Sequence, residues 1–173
     1  MPSWIPTAAI ESDALHAFAA GTVVLLDPRD ERGGACLAVR VETVSGPALY
    51  HLTEVGDLRT GHVTRLGEPV AGFGIRAETP LELDWDLEGE TVEPGLTLAG
   101  LGCLALGVGG VRLVGASPKA ASAHYFDPTD WTQRGFSDRQ DAWILTRCWR
   151  LVWPLDAQRR IVLFDAAANA SEP

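Results

Sequence analysis

Residues 143–153 read Trp143-Ile144-Leu145-Thr146-Arg147-Cys148-Trp149-Arg150-Leu151-Val152-Trp153 and stop at Pro154. Three of the chain's six tryptophans fall in this stretch. In a strand, successive side chains point to opposite faces. Trp143, Leu145, Arg147, Trp149, Leu151 and Trp153 then share one side, and Ile144, Thr146, Cys148, Arg150 and Val152 share the other. A helix competes: Ser137 and Gln140 stand at capping-box spacing, and Ile144, Cys148, Leu151 and Val152 would line one face. Two features favour the strand. Aromatic residues suit a pleated, half-buried surface. A second apolar run, Ile161 to Phe164, also follows across Leu155 to Arg159, at hairpin distance. Arg147 then sits alone on the apolar face and requires a carboxylate or an aromatic ring.

A chain of 173 residues, 46% hydrophobic and 21% charged, is expected to form one globular domain spanning 1–173 with a sizeable core. Its net charge is −9 and Lys119 is its only lysine, which argues against nucleic-acid binding, since phosphate contacts need clustered cations. Cys36, Cys103 and Cys148 form no Cys-x-x-Cys pair, so they read as buried small hydrophobes in a reducing compartment rather than zinc ligands. The N-terminus lacks a basic region followed by an apolar core, so a cytoplasmic location is expected.

Residues 1–6 read as an extended arm carrying Trp4. Residues 7–20 read as a short helix: Thr7 caps it, Ile10, Ala14, Leu15 and Phe18 share a face, and Gly21 stops it. Strands are expected at Thr22 to Leu26, His62 to Leu66 and Val70 to Ala77. Between them, a hairpin turns at Ser45-Gly46-Pro47 and joins Ala35 to Val44 with Ala48 to Thr53. His51 and His62 fall on neighbouring strands, where two histidines begin a metal site but no third ligand is named. Leu96 to Val111 carries no charge yet is shorter than the ~20 residues a membrane helix needs. Its glycines suit a strand pair turning near Gly107 to Gly110. Gly100-x-Gly102-x-x-Ala105 matches a relaxed dinucleotide fingerprint, but no amphipathic helix follows, so no cofactor is expected.

Leu81, Leu83, Trp85 and Leu87 alternate with Glu82, Asp84, Asp86 and Glu88. The spacing resembles a calcium loop superficially, but Gly95 occupies the closing glutamate position. The carboxylate row is either a solvated face that discourages edge pairing, offset by Arg147 and Arg150, or a docking surface for a basic partner.

Residues 116–141 read as a long polar and aromatic loop, the place where function concentrates in a chain of tight turns. Here His124 could serve as a general base oriented by Asp127, with Arg134 clamping an anion. Tyr125 and Trp131 supply binding surface. No nucleophile motif accompanies them. Residues 166–173 read as a frayed tail.

The expectation is an all-β fold, a β-sandwich or small β-barrel of eight to ten short strands with one short N-terminal helix. The leading functional expectation is a non-enzymatic interaction or assembly module. It docks to another protein, of basic character, or to a second copy of itself. The docking surface is the acidic strand face or the 116–141 loop. The alternative is a small-ligand-binding protein or enzyme with its site in that loop. No metal, cofactor, nucleic acid or membrane partner is expected.

Overall fold

Short alternating runs broken by glycine and Asx turns can satisfy their backbone groups only by pairing with one another. The computed structural model describes residues 9–26, 36–54, 56–77, 80–86, 91–92, 100–107, 110–119, 123–134, 144–156 and 158–169. The chain is all-β: the described residues form fifteen strands, more than the eight to ten expected, because several are two or three residues long. Twelve belong to one hydrogen-bonded sheet and three to another.

The centre of the large sheet is a path that returns on itself. Strand β3 (Cys36–Thr43) forms the expected hairpin with β4 (Gly46–His51), and β4 pairs with β5 (Val63–Arg65). A parallel bridge, His62 to Ala116, then leads to β10 (Gly110–Gly115); Val63 N–H donates to the Ala116 carbonyl at 2.8 Å. From β10 the path runs to β11 (His124–Asp127), then β12 (Thr132–Arg134), and back to β3 through a parallel contact of Thr132 with Glu42. Val39, Val41, Tyr50, Val63, Leu113 and Phe126 are buried together on this path. The Tyr50 and Phe126 rings meet edge-on at 5.9 Å, and the Tyr50 hydroxyl donates to the Val114 carbonyl at 3.0 Å.

The sheet continues beyond β3 through β2 (Val23–Leu26), β6 (Ala71–Ile75) and β1 (Ile10–Ala14). On the other side, β10 pairs antiparallel with β9 (Leu104–Gly107), as expected, with Gly110 opposite Gly107; β13 (Ile144–Thr146) and β8 (Thr91–Val92) follow. The smaller sheet is β7 (Glu82–Trp85), β14 (Trp149–Pro154) and β15 (Arg160–Asp165), with β14 central.

The tryptophan stretch is therefore extended, but it is two strands in two sheets. Cys148 N–H donates to the Thr146 hydroxyl at 3.1 Å and Trp149 N–H to the Arg147 carbonyl at 3.1 Å, a bend that ends β13 and starts β14. Leu145, Trp149, Leu151 and Trp153 are buried as expected, whereas Arg147 is exposed at the bend and hydrogen-bonds the Cys103 thiol. Trp143 lies outside the described residues.

The N-terminal helix expected over 7–20 is replaced by β1 and a run of turns. Each residue from Ile10 to Ala14 pairs with β6, in register with Ile75 to Ala71. The deciding partners are Gly72 and Gly74. A Cβ at Gly74 would fall 2.6 Å from Phe18 Cε1, and one at Gly72 would collide with Leu15, so these glycines open the surface on which Leu15 and Phe18 are buried. The described helix is instead α1 (Ala166–Asn169), a single turn where a frayed tail was expected; Asp165 Oδ1 accepts from Ala167 N–H at 3.1 Å and so caps it. The arm at 1–6 and residues 170–173 lie outside the described residues.

Candidate functional site

The expected 116–141 loop contains a tight hairpin, β11 to β12, built by two consecutive Asx turns. Asp127 Oδ1 accepts from the Thr129 N–H at 3.0 Å and hydroxyl at 2.6 Å; Asp130 Oδ1 accepts from the Thr132 N–H at 3.0 Å and hydroxyl at 2.7 Å. Short side-chain oxygens that bond their own backbone two residues on are what make such turns rigid. At the centre of the second turn Trp131 adopts φ 57°, a left-handed conformation that costs a non-glycine residue roughly 1–2 kcal/mol. Its ring lies against Gly21, and its carbonyl accepts from Glu42 N–H at 2.9 Å, joining β12 to β3.

This hairpin forms one end of a groove of about 980 Å³. Asp127, Pro128, Thr129 and Trp131 line it there, Phe18 to Thr22 and Ile75 form another wall, and Leu81, Leu83 and Trp85 of β7 line it as well. Val111 and Arg112 of β10 complete it. Arg112 Nη1 lies 3.0 Å from Asp127 Oδ2, with the two side chains 21% and 13% exposed, and Arg134 Nε lies 3.7 Å from the same oxygen. Burial alone would raise Asp127, but the Thr129 hydroxyl and N–H, then Arg112 and Arg134, outweigh it and hold the carboxyl below its ordinary range. With both oxygens occupied, this carboxylate fixes the groove's shape and is not free to take a proton.

The residues weighed for catalysis are not assembled into a dyad. His124 and Asp127 are three apart on one strand, hence on opposite faces. His124 Nδ1 pairs with Gln133 Nε2 at 3.0 Å, and burial lowers its pKa. Arg134 is engaged by Asp130 and Asp127. Tyr125 packs at the edge of a separate buried cluster around Cys103 and Leu145. Of the expected site residues, Asp127 and Trp131 line the groove, while His124, Tyr125 and Arg134 do not.

The acidic row is real at Glu82, Asp84 and Asp86, all exposed on or just after β7; Glu88 lies outside the described residues. Its counter-charges are Arg160, 2.8 Å from Glu82, and Arg150, in register with Asp84 and bonded to Asp165 at 2.8 Å. Arg147, expected to share that role, is at the bend instead. Exposed pairs of this kind contribute at most about 1 kcal/mol each. Arg112 was not singled out from sequence. It sits at the end of an apolar run, and its partner Asp127 is on another strand.

His51 and His62 do approach: His51 N–H donates to the His62 carbonyl at 2.8 Å. His51 Nε2 lies 2.8 Å from the Thr64 hydroxyl, and its buried Nδ1 has no partner. Among the described residues no group of three side chains is placed to hold a metal. Burial, and secondarily His62, lower the His51 pKa to about 4. The folded state thus keeps this imidazole neutral while the unfolded chain takes up a proton below about pH 6.5. Stability is lost as pH falls from about 6.5 toward 4, by an amount on the order of 3 kcal/mol. Urea denaturation at pH 7 and pH 4.5 checks this: the difference should shrink by most of that amount in His51→Gln. An unchanged difference would contradict it.

Among the described residues no helix is long and apolar enough to cross a membrane. No known protein family, curated protein or solved structure matches the chain.

Proposed function

On its own geometry, we propose that the chain is a non-enzymatic β-module whose groove beside β7 binds a segment of another protein of basic character. The observation that carries this reading is the groove itself. It has apolar walls from Phe18, Leu81, Leu83 and Val111 and one end stiffened by the Asp127–Thr132 turns, while the exposed carboxylates of β7 stand on the other face of that strand. A concave, pre-formed and mostly apolar surface with a few fixed charges is what binding sites share. Charge sets the partner. At net −9, a second copy of this chain is repelled and a basic segment is attracted. We read the closed path β3-β4-β5-β10-β11-β12 as a small barrel that holds the groove rigid, and the three free cysteines, two of them buried, as consistent with a reducing cytoplasmic location.

The test is a titration with a capped peptide of alternating lysine and valine, followed by tryptophan fluorescence and calorimetry. Ala17 is exposed and lines the groove, so Ala17→Trp fills the space without removing a buried contact. Binding by the unaltered protein, lost in Ala17→Trp and weakened several-fold in Asp84→Asn/Asp86→Asn, supports the proposal. No binding at millimolar peptide, or binding indifferent to Ala17→Trp, removes it.

A second reading, a small-molecule site, is favoured by one observation: Trp131 and the Arg112–Asp127 pair converge in the groove. A metabolite that raises the melting temperature of the unaltered protein but not of Ala17→Trp would support it.

A further inference from the structure

We infer that the ligand binds as an added β-strand on the outer edge of β7, a proposal that rests on the groove reading and specifies its mode and partner. In an antiparallel pair, alternate residues of a strand turn both backbone groups toward the neighbour and those between turn them away. Asp86 N–H donates to the Cys148 carbonyl at 2.9 Å, and the register sets Asp84 opposite Arg150 and Glu82 opposite Val152. Residues 82, 84 and 86 therefore bond to β14, and Leu83 and Trp85 direct their N–H and C=O outward. Among the described residues these outward groups have no partner, since β7 pairs with β14 alone.

The same two residues line the groove, and Trp85 is 42% exposed. A strand laid along this edge would satisfy the outward groups and set every second side chain against Leu83 and Trp85. Its other side chains would stand beside Glu82 and Asp84. Cross-strand neighbours of opposite charge are favourable and like charges are not. The partner is accordingly an extended segment that alternates apolar residues with lysine or arginine. The acidic row has a second effect here: it repels edge-to-edge pairing with another copy of this chain and admits a basic strand.

The experiment uses the capped lysine–valine peptide and two versions of it, N-methylated at every valine or at every lysine. Strand addition engages one alternate set of peptide N–H groups, so methylation of that set should weaken binding at least about tenfold while the other set binds as the parent does. Sensitivity of the valine set marks an antiparallel strand, and of the lysine set a parallel one; either supports the proposal. Trp85→Pro removes an outward N–H without touching the ladder to β14 and should reproduce the loss. Equal weakening by both sets, or by neither, overturns strand addition. If the parent peptide still binds and Ala17→Trp still blocks it, the groove reading survives alone. If the parent peptide does not bind at all, both fall.

Discussion

Trp149→Ala is expected to destabilise the protein by about 3–5 kcal/mol, the range for deleting a large buried aromatic. Trp149 is 1% exposed and sits where the two sheets meet. Its indole N–H donates to the Gly102 carbonyl at 2.8 Å, just ahead of β9 in the large sheet. Its ring lies 5.1 Å from that of Phe164 on β15 in the small one. The substitution therefore opens a cavity and orphans a buried carbonyl together. Trp149→Phe separates the two effects. It keeps an aromatic ring but no donor, and leaving the acceptor unpaired should account for about 1–3 kcal/mol of the loss. Urea unfolding of both variants gives the numbers. A Trp149→Ala loss below about 1 kcal/mol would mean the sheets are not joined here.

Gly21→Ala should cost about 2–4 kcal/mol, from two sources that can be told apart. Gly21 has φ 88°, where a Cβ is strained, and its N–H donates to the Arg40 carbonyl at 2.8 Å, which fixes it in place. A Cβ there would also lie 2.7 Å from Trp131 Nε1, so the indole must move. That indole follows from the left-handed backbone at Trp131, itself fixed by the Asp127 and Asp130 turns. In a Trp131→Ala background the steric part vanishes, and Gly21→Ala should cost only about 1 kcal/mol. Additive losses in the double variant would show that the contact carries no energy.

What could be read from sequence was local. The hairpins at Gly46, at Gly107 to Gly110, and between Trp153 and Ile161 combine alternation with turn residues within a few positions. The alternation across 143–153 concealed a change of sheet, because the bend is made by the Thr146 hydroxyl and leaves the period of two intact on both sides. The N-terminal helix failed for the opposite reason. Ile10, Ala14, Leu15 and Phe18 keep helical spacing, but Gly72 and Gly74, far away in sequence, offer β1 a partner and Phe18 a socket. Asp127 and Trp131, which line the groove, were legible as candidates because a cluster of polar and aromatic residues stood out from its surroundings. The groove was not, since it needs β7, β10 and the residue 17–22 turn side by side. Nor could sequence show that His124 and Asp127 belong to a strand that sends them to opposite faces.

The closed path of six strands has one more property. Four of its junctions are ladders of three or more residue pairs between strands close in sequence or joined by a hairpin, or nearly so. The other two are stitches of a single parallel pair, Thr132 with Glu42 and His62 with Ala116. Such a path has two seams. Across them run the backbone bonds of Glu42 to Trp131, Val63 to Ala116 and Ala116 to Gly61, with the Tyr50 hydroxyl bond to Val114, and these can part while both three-stranded walls stay whole. Parting these bonds would open the path between its two walls without melting any of its six strands. Each seam joins segments far apart in the chain, so the loop entropy of closing it is met late, after the two walls have formed.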